Sequence, residues 1–312
     1  MTTAISRLRD ELTEHTRDEF RRDFGDVESD WVASAAEYFW NEAHQDARVA
    51  DLYRWGFRPG TARVLDLAGG HGQFVFRALE AGFDAYGVEP DVWKLGFAAR
   101  KLAVTGRPRA WSERLLRGVG EALPFADDTF DCVSSYQTLE HVQDPGAVLA
   151  EMVRVTRPGG GVHLRCPDYR STFEAHYRLP WLPYFPRAVA RAYLRAFSRP
   201  TRGLDSIQYV TAPRIRRWLS AIEKAEGCRL IVVNGDQVGF ADAVRRAGLP
   251  DLVSDAFFLY RTWAFVGGAF RREASVNLFV RILSKESTNS RDAVSSPRVV
   301  GRQLPTGGVV QP

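Results

Sequence analysis

A short apolar segment, Arg63-Val64-Leu65-Asp66-Leu67, runs into Ala68-Gly69-Gly70-His71-Gly72 and then into Gln73-Phe74-Val75-Phe76. Residues of these types in this order make a strand, a glycine turn and the start of a helix. The glycines let backbone approach a ligand closely and leave the first helical amides facing it, an arrangement suited to a nucleotide. A second apolar segment, Asp84 to Val88, ends in Glu89, 23 positions after Asp66. That is near the roughly 20-residue interval at which a carboxylate accepts hydrogen bonds from ribose hydroxyls, so the ligand is expected to carry a ribose. A nicotinamide fingerprint would place a third glycine three residues after the Gly70-x-Gly72 pair, where Val75 stands; a redox dinucleotide is disfavoured. Taken alone, the glycines also fit a tight turn that binds nothing.

Such residues need a scaffold, and the pattern supplies one. From Arg63 onward, short apolar strands at 63–67, 84–88, 114–119, 131–136, 161–166, 229–234 and 275–283 alternate with longer amphipathic stretches. Alternation of this kind predicts a parallel sheet covered by helices. Asp144 and Pro145 form an N-cap and first-turn pair opening a helix to about Val155, and Pro158-Gly159-Gly160-Gly161 is expected to close it before the next strand. Thr211 and Pro213 open another helix, 213–225. Ahead of the sheet, residues 4–56 read as two helical stretches, the second from about Glu28 to Trp55. Beyond it, 286–312 is rich in Ser, Pro, Gly and Val without periodicity and reads as a disordered tail.

Composition narrows the function further. With 45% hydrophobic and 26% charged residues in 312, the chain is an ordinary globular one. The net charge of +4 comes from 38 Arg and 4 Lys against 38 acidic residues. Because the two signs alternate along the chain, no basic stripe marks a nucleic-acid surface. Cys132, Cys166 and Cys228 are scattered, and the six histidines show no paired spacing, so neither a disulfide framework nor a metal site is predicted. No run of more than ten residues lacks Lys, Arg, Asp and Glu, which disfavours a membrane span. The N-terminus shows no secretory leader, and a cytoplasmic protein is expected.

Five motifs in fixed order carry a family resemblance: Val64 to Gly72, Gly87-Val-Glu-Pro90, Glu121 to Asp131, Leu139-Glu-His-Val-Gln-Asp-Pro145 and Arg157-Pro-Gly-Gly160. Together they resemble the class I S-adenosylmethionine-dependent methyltransferases, nearest to the broad group acting on small molecules, quinones and sugars. The resemblance is strong over about 60–170 and weaker to 285. It implies a Rossmann-like α/β three-layer sandwich whose seven-stranded, mostly parallel sheet ends in an antiparallel strand. It divides the chain into an N-terminal helical cap (1–60), a methyltransferase domain (61–285) and the tail. It also implies S-adenosylmethionine as cofactor, with Asp66, Ala68, Gly69, Gly70 and Gly72 at its methionine portion and Glu89 at the ribose diol. Gly120 and Glu121 fall beside the adenine, Tyr136 and Gln137 beside the sulfonium. Two positions depart from the family: Ala68 replaces the first glycine of the turn, and Val119 stands where an acidic residue commonly bonds the adenine amino group. Ala68 adds only a methyl, and Glu121 or a backbone carbonyl is an alternative partner for the adenine; a non-catalytic descendant that binds a partner is the lesser alternative these departures motivate.

Methyl transfer to a hydroxyl needs a base on the loops at the carboxyl ends of the strands. Glu140-His141, Asp168-Tyr169 and Glu174-Ala-His176-Tyr177 fall there. His176 is the first choice, because an imidazole with a pKa near 6.5 is the natural base at neutral pH; His141 and Glu140 follow, each with a purely structural alternative. The proline-braced aromatic loop Leu179 to Pro186, within segment 167–212, and the apolar insertion 236–274 are expected to meet the acceptor. That acceptor reads as a small molecule, glycan or lipid, methylated at oxygen, with N- or C-methylation as the alternative. The insertion is equally compatible with a peripheral membrane contact, a homodimer interface or an added helical layer.

Overall fold

The computed structural model describes residues 2–236 and 275–285. The insertion beyond Asp236 and the expected tail from 286 lie outside the described residues.

Seven strands form one sheet. They are β1 (Arg63–Leu67), β2 (Asp84–Glu89), β3 (Leu115–Arg117), β4 (Phe130–Tyr136), β5 (Thr156–Pro167), β8 (Arg229–Asn234) and β9 (Ser275–Ser284), while β6 (Phe173–Glu174) and β7 (Leu179–Pro180) pair separately as a small hairpin. The order across the sheet is β3-β2-β1-β4-β5-β9-β8. The first five are parallel, and β9 runs antiparallel to both β5 and β8. The fold is thus the Rossmann-like, mostly parallel sheet with an antiparallel last strand that the sequence predicts. The order reverses between β1 and β4, so the carboxyl ends of these two strands border the crevice where open α/β sheets bind ligands.

Val64, Leu65, Leu67 and all of β4 up to Ser135 are buried, as central parallel strands covered on both faces require. One apolar core packs α6 (Pro145–Val155) and α9 (Ala212–Glu226) against the sheet through Leu149, Met152, Ile215 and Leu219. A second, containing Phe74, Phe76, Ala98 and Leu102, packs α4 (Gln73–Glu80) and α5 (Val92–Thr105). The helix starts follow the caps read from sequence. Asp144 accepts from the amides of Gly146 and Ala147 at 2.9 and 3.1 Å, and Thr211 accepts from Arg214 N–H at 3.4 Å.

Two details differ from expectation. Pro158 to Gly161 does not precede β5 but lies within it: the ladder pairs Phe130 with Thr156 and next Cys132 with Gly161, so 157–160 bulge outward. Glycine is needed there, because a Cβ at Gly160 would come within 2.7 Å of the Asp131 carbonyl oxygen. The stretch Glu28 to Trp55 is also broken. After α1 (Thr2–Phe24), α2 (Ser29–Trp40) stops at Asn41, whose side chain accepts from Ala43 N–H at 2.9 Å, and the chain turns before α3 (Asp46–Arg54). This break lets α3 lie over the carboxyl ends of β1 and β4.

The segment after β5 builds its own small core. Tyr177, Trp181 and Phe185 bury against Ala190 and Leu194 of α7 (Arg187–Ala196) and Leu204 of the short α8 (Arg202–Ser206). The β6–β7 hairpin is thereby held with Glu174 and His176 at its turn.

Candidate active site

The glycine turn is a cradle of left-handed backbone. Ala68, Gly70 and Gly72 have φ of 55°, 52° and 77°. A Cβ at Gly72 would meet the Phe76 ring at 2.7 Å and Leu115 at 2.9 Å, whereas one at Gly70 would meet nothing within 4 Å. The tightness at Gly72 comes from helix–sheet packing and the openness at Gly70 from the crevice. Ala68 holds a conformation that costs an L-residue roughly 1–2 kcal/mol, which is a physical reason for glycine at this position in related turns.

Each candidate cofactor residue can now be placed. Glu89, buried at the tip of β2, accepts from Gly70 N–H at 2.8 Å and from Asp91 N–H at 3.0 Å. Burial pushes its carboxyl above the ordinary value, against the pull of Lys94. Asp66, at the end of β1, is almost wholly enclosed and pairs with Arg48 of α3. Arg48 also donates to Ser134 Oγ at 3.0 Å, and its guanidinium lies 4.1 Å from the Phe74 ring centre and 3.9 Å from that of Tyr136. Burial raises the Asp66 carboxyl, with Arg48 opposing. Tyr136 Oη donates to Asp51 at 3.2 Å and lies 3.1 Å from His163 Nδ1, and burial pushes the phenol up to about 12. Gln137 follows with φ of 52° and its amide bonded to the Arg165 carbonyl at 2.7 Å.

Of the candidate cofactor residues, Asp66, Ala68, Gly69, Gly70, Glu89, Tyr136 and Gln137 line one cavity of about 650 Å³, together with His71, Phe74, Lys94, His141 and Arg165, and Gly72 does not. Its size falls in the range of small-molecule sites. Gly120 and Glu121 are not among its walls. Glu121 instead accepts from the amides of Gln143 and Asp144 at 2.9 and 3.3 Å, fixing the loop before α6. Val119, on the same turn, is exposed.

His71 forms part of the wall inside an aromatic box, with ring centroids 5.3, 5.9 and 5.2 Å from Phe39, Trp93 and Phe97. Burial, then Lys94 and Lys101, lower its pKa from 6.5 to about 3. The unfolded chain takes up a proton at this residue near 6.5 while the folded one does not, so its contribution is whole above that pH and falls away between about 6.5 and about 3. His71→Phe should therefore flatten the acid side of the stability curve. Urea midpoints measured at about pH 7 and about pH 5 would show it, and equal declines in wild type and variant would contradict it.

The three candidate catalytic residues, far apart in sequence, come together in space. His141 Nε2 lies 3.1 Å from His176 Nε2 and 4.0 Å from Glu140 Oε1. His176 Nδ1 is 2.7 Å from Glu174 Oε1, and Glu174 also accepts from Tyr169 Oη at 3.3 Å and from Tyr177 N–H at 2.7 Å. With Glu174 on Nδ1, the lone pair of a neutral His176 ring sits on Nε2. Glu140 is fully enclosed, and neither of its oxygens has a hydrogen-bond partner. Burial raises its pKa to about 7. The packed surroundings and His176 hold His141 below the ordinary imidazole value. Asp168, by contrast, is occupied: it pairs with Arg170 at 2.5 Å and accepts from Ala212 N–H at 3.3 Å.

A second cavity of about 240 Å³ opens beside the first. Asp168, Tyr169, Phe173, Glu174 and Trp181 line it, and it shares Gln137 and Arg165 with the larger one. The cluster stands between them, with His141 in one wall and Glu174 in the other. Arg48, Asp51 and Arg165 have no sequence signal that marks them for this site; only the fold of the cap and the end of β5 bring them there.

A glycine cradle at a sheet switch point, a buried carboxylate on the next strand and two adjoining cavities make a site suited to a nucleotide-like ligand. Residues 65–164 match the family described as methyltransferase domain. The chain carries a domain of the class I S-adenosylmethionine-dependent methyltransferases, and S-adenosylmethionine is the cofactor of that class. An uncharacterized methyltransferase of Mycobacterium avium is 39% identical over 160 residues, which cover 50% of this chain and 60% of the relative. One of Mycobacteroides abscessus is 35% identical over 176 residues, 54% of this chain and 66% of the relative. The chain thus spans about 60% of the length of the first of these relatives. Among solved structures, a phosphoethanolamine N-methyltransferase of Haemonchus contortus is 16% identical, with a TM-score of 0.45 over 76% of this chain and 52% of that one. No helix among the described residues is long and apolar enough to cross a membrane.

Proposed function

We propose that this protein transfers a methyl group from S-adenosylmethionine to a hydroxyl of a small-molecule, glycan or lipid-linked acceptor. The adjoining cavities carry this reading: a glycine-turn cavity large enough for the cofactor, with His141 in its wall, meets a smaller one walled by Tyr169, Phe173, Glu174 and Trp181, and His176 bonds both His141 and Glu174. When bound, the cofactor supplies an electrophilic methyl group on a sulfonium. In this reading the chain does the rest. Gly69, Gly70 and Glu89 hold the cofactor, while Asp66, Ala68, Tyr136 and Gln137 shape its surroundings. The aromatic walls orient the acceptor, and His176 Nε2, fixed by Glu174, takes the hydroxyl proton. Gly72 supports the cradle through packing, and Gly120 and Glu121 lie outside the cavity, the Glu121 carboxylate holding the loop before α6. Arg165, exposed and without a carboxylate partner among the described residues, is placed to meet an acidic group of cofactor or acceptor.

Calorimetry with S-adenosylhomocysteine tests the cofactor half directly. The wild type should bind, and Glu89→Ala should bind about 10–100-fold more weakly, the worth of charge-assisted hydrogen bonds. Absence of binding to the wild type at millimolar ligand would overturn the enzyme reading and favour a partner-binding protein on this fold. Product analysis separates O- from N- or C-methylation.

A further inference from the structure

We infer that Glu140, His141 and His176 form a binding site for one divalent transition-metal ion, zinc foremost. Their ligand atoms, one from each residue, all lie within 4.8 Å of one another. The two imidazole Nε2 atoms are 3.1 Å apart, close to the separation of about 3.3 Å that two nitrogens adopt on a tetrahedral zinc at roughly 2.0–2.1 Å. Glu140 Oε1 lies 4.0 Å from His141 Nε2, on the same cluster.

A separate observation points to a cation. Both carboxylate oxygens of Glu140 are buried without a hydrogen-bond partner, in a side chain 1% exposed, and one of them, Oε1, lies within the cluster. An enclosed carboxylate left unpaired is costly, and in folded proteins such groups are paired or coordinate metals. Among the described residues no Lys or Arg forms an ion pair with Glu140, while the second buried acid of the cluster, Glu174, has His176 as its partner. Glu174 on His176 Nδ1 at 2.7 Å also completes the carboxylate–histidine–metal relay that orients metal-binding imidazoles. The set of two imidazoles and one carboxylate selects zinc, iron or a related ion over magnesium and calcium, which favour all-oxygen shells. Three protein ligands would leave a fourth position open.

The inference does not depend on methyl transfer, and its test reads binding alone. The full chain, freed of metal by dialysis against chelator, is titrated with cobalt(II) and followed by its visible d–d absorption, then challenged with zinc. One equivalent of cobalt with the intense band of a low-coordinate site is expected, with displacement by one equivalent of zinc. His141→Gln and His176→Gln should abolish the band. Glu174→Gln should weaken binding about 10–100-fold, as loss of a supporting carboxylate does. His15, Glu19 and Asp91 form a more open group of possible ligands; Glu19→Gln should leave the band unchanged. No stoichiometric band in the wild type, a band that survives both histidine substitutions, or one lost in Glu19→Gln would each overturn the assignment.

Discussion

Arg48→Ala is expected to lower the unfolding free energy by about 3–5 kcal/mol, the usual cost of removing one partner from a buried ion pair. The side chains of Arg48 and Asp66 are only 13% and 4% exposed. Asp66 keeps one other side-chain contact, Ser134 Oγ at 3.1 Å, which does not replace a charge. The guanidinium also fills the space between the Phe74 and Tyr136 rings, so truncation removes packing as well. The deficit carries a pH signature. Burial already raises the Asp66 carboxyl in the folded state, and without Arg48 it would rise further. A carboxyl raised on folding favours the folded chain below its unfolded pKa near 3.9 and loses that advantage as pH climbs through the raised value. The gap between variant and wild type should therefore narrow on acidification. Arg48→Met combined with Asp66→Asn should recover much of the loss at neutral pH, since an uncharged pair of similar volume replaces a buried ion pair at little cost. Urea midpoints of the three proteins decide it; a single variant as stable as wild type would show that the pair holds nothing together.

Arg48 also shows where sequence reading stops. Asp66 and Glu89 were legible because strand, turn and carboxylate spacing are local and periodic. The sheet was legible because each of its buried strands is a short apolar run punctuated by caps such as Asp144 and Thr211. Arg48 sits on an amphipathic helix some 18 residues before its partner, and nothing in a stretch such as Asp46 to Arg54 distinguishes an inward arginine from an exposed one. The break at Asn41 that aims α3 over the strand ends depends on a side-chain cap two residues long. Glu140, His141 and His176 were each visible as polar residues on loops, but their convergence depends on the hairpin at 173–180 and on the core of Tyr177, Trp181 and Leu204 that anchors it. Spacing rules for metal ligands do not register such a cluster, because the two imidazoles come from loops 35 positions apart. Glu121 is the converse case: its motif position suggested a ligand, and the fold gives its carboxylate two loop amides.

His176→Ala is expected to reduce turnover about 10²–10⁴-fold, with the acceptor KM changed far less, because the imidazole acts on the proton released during transfer rather than on the bulk of the acceptor. Its Nε2 lies 3.1 Å from His141 Nε2, in the wall of the larger cavity, while Nδ1 is held by Glu174, in the wall of the smaller one. Glu174→Gln should then lower kcat as well, since an amide no longer enforces the tautomer that puts the acceptor lone pair on Nε2. A structural role would move other quantities. His176 stacks on Phe24 at 5.6 Å between ring centroids, so a purely packing residue would lower the melting midpoint and be rescued by Phe, whereas Phe cannot restore proton transfer. Initial rates of S-adenosylhomocysteine formation, with melting midpoints alongside, separate the two, and activity within a few-fold of wild type would remove His176 from the chemistry. Chelation then distinguishes two ways in which the same side chain could serve. If the free imidazole takes the proton, chelator leaves the wild-type rate unchanged. If His176 acts by holding a cation that acidifies the acceptor hydroxyl, chelator brings the wild type down toward the His176→Ala rate, and added zinc or cobalt restores only the wild type.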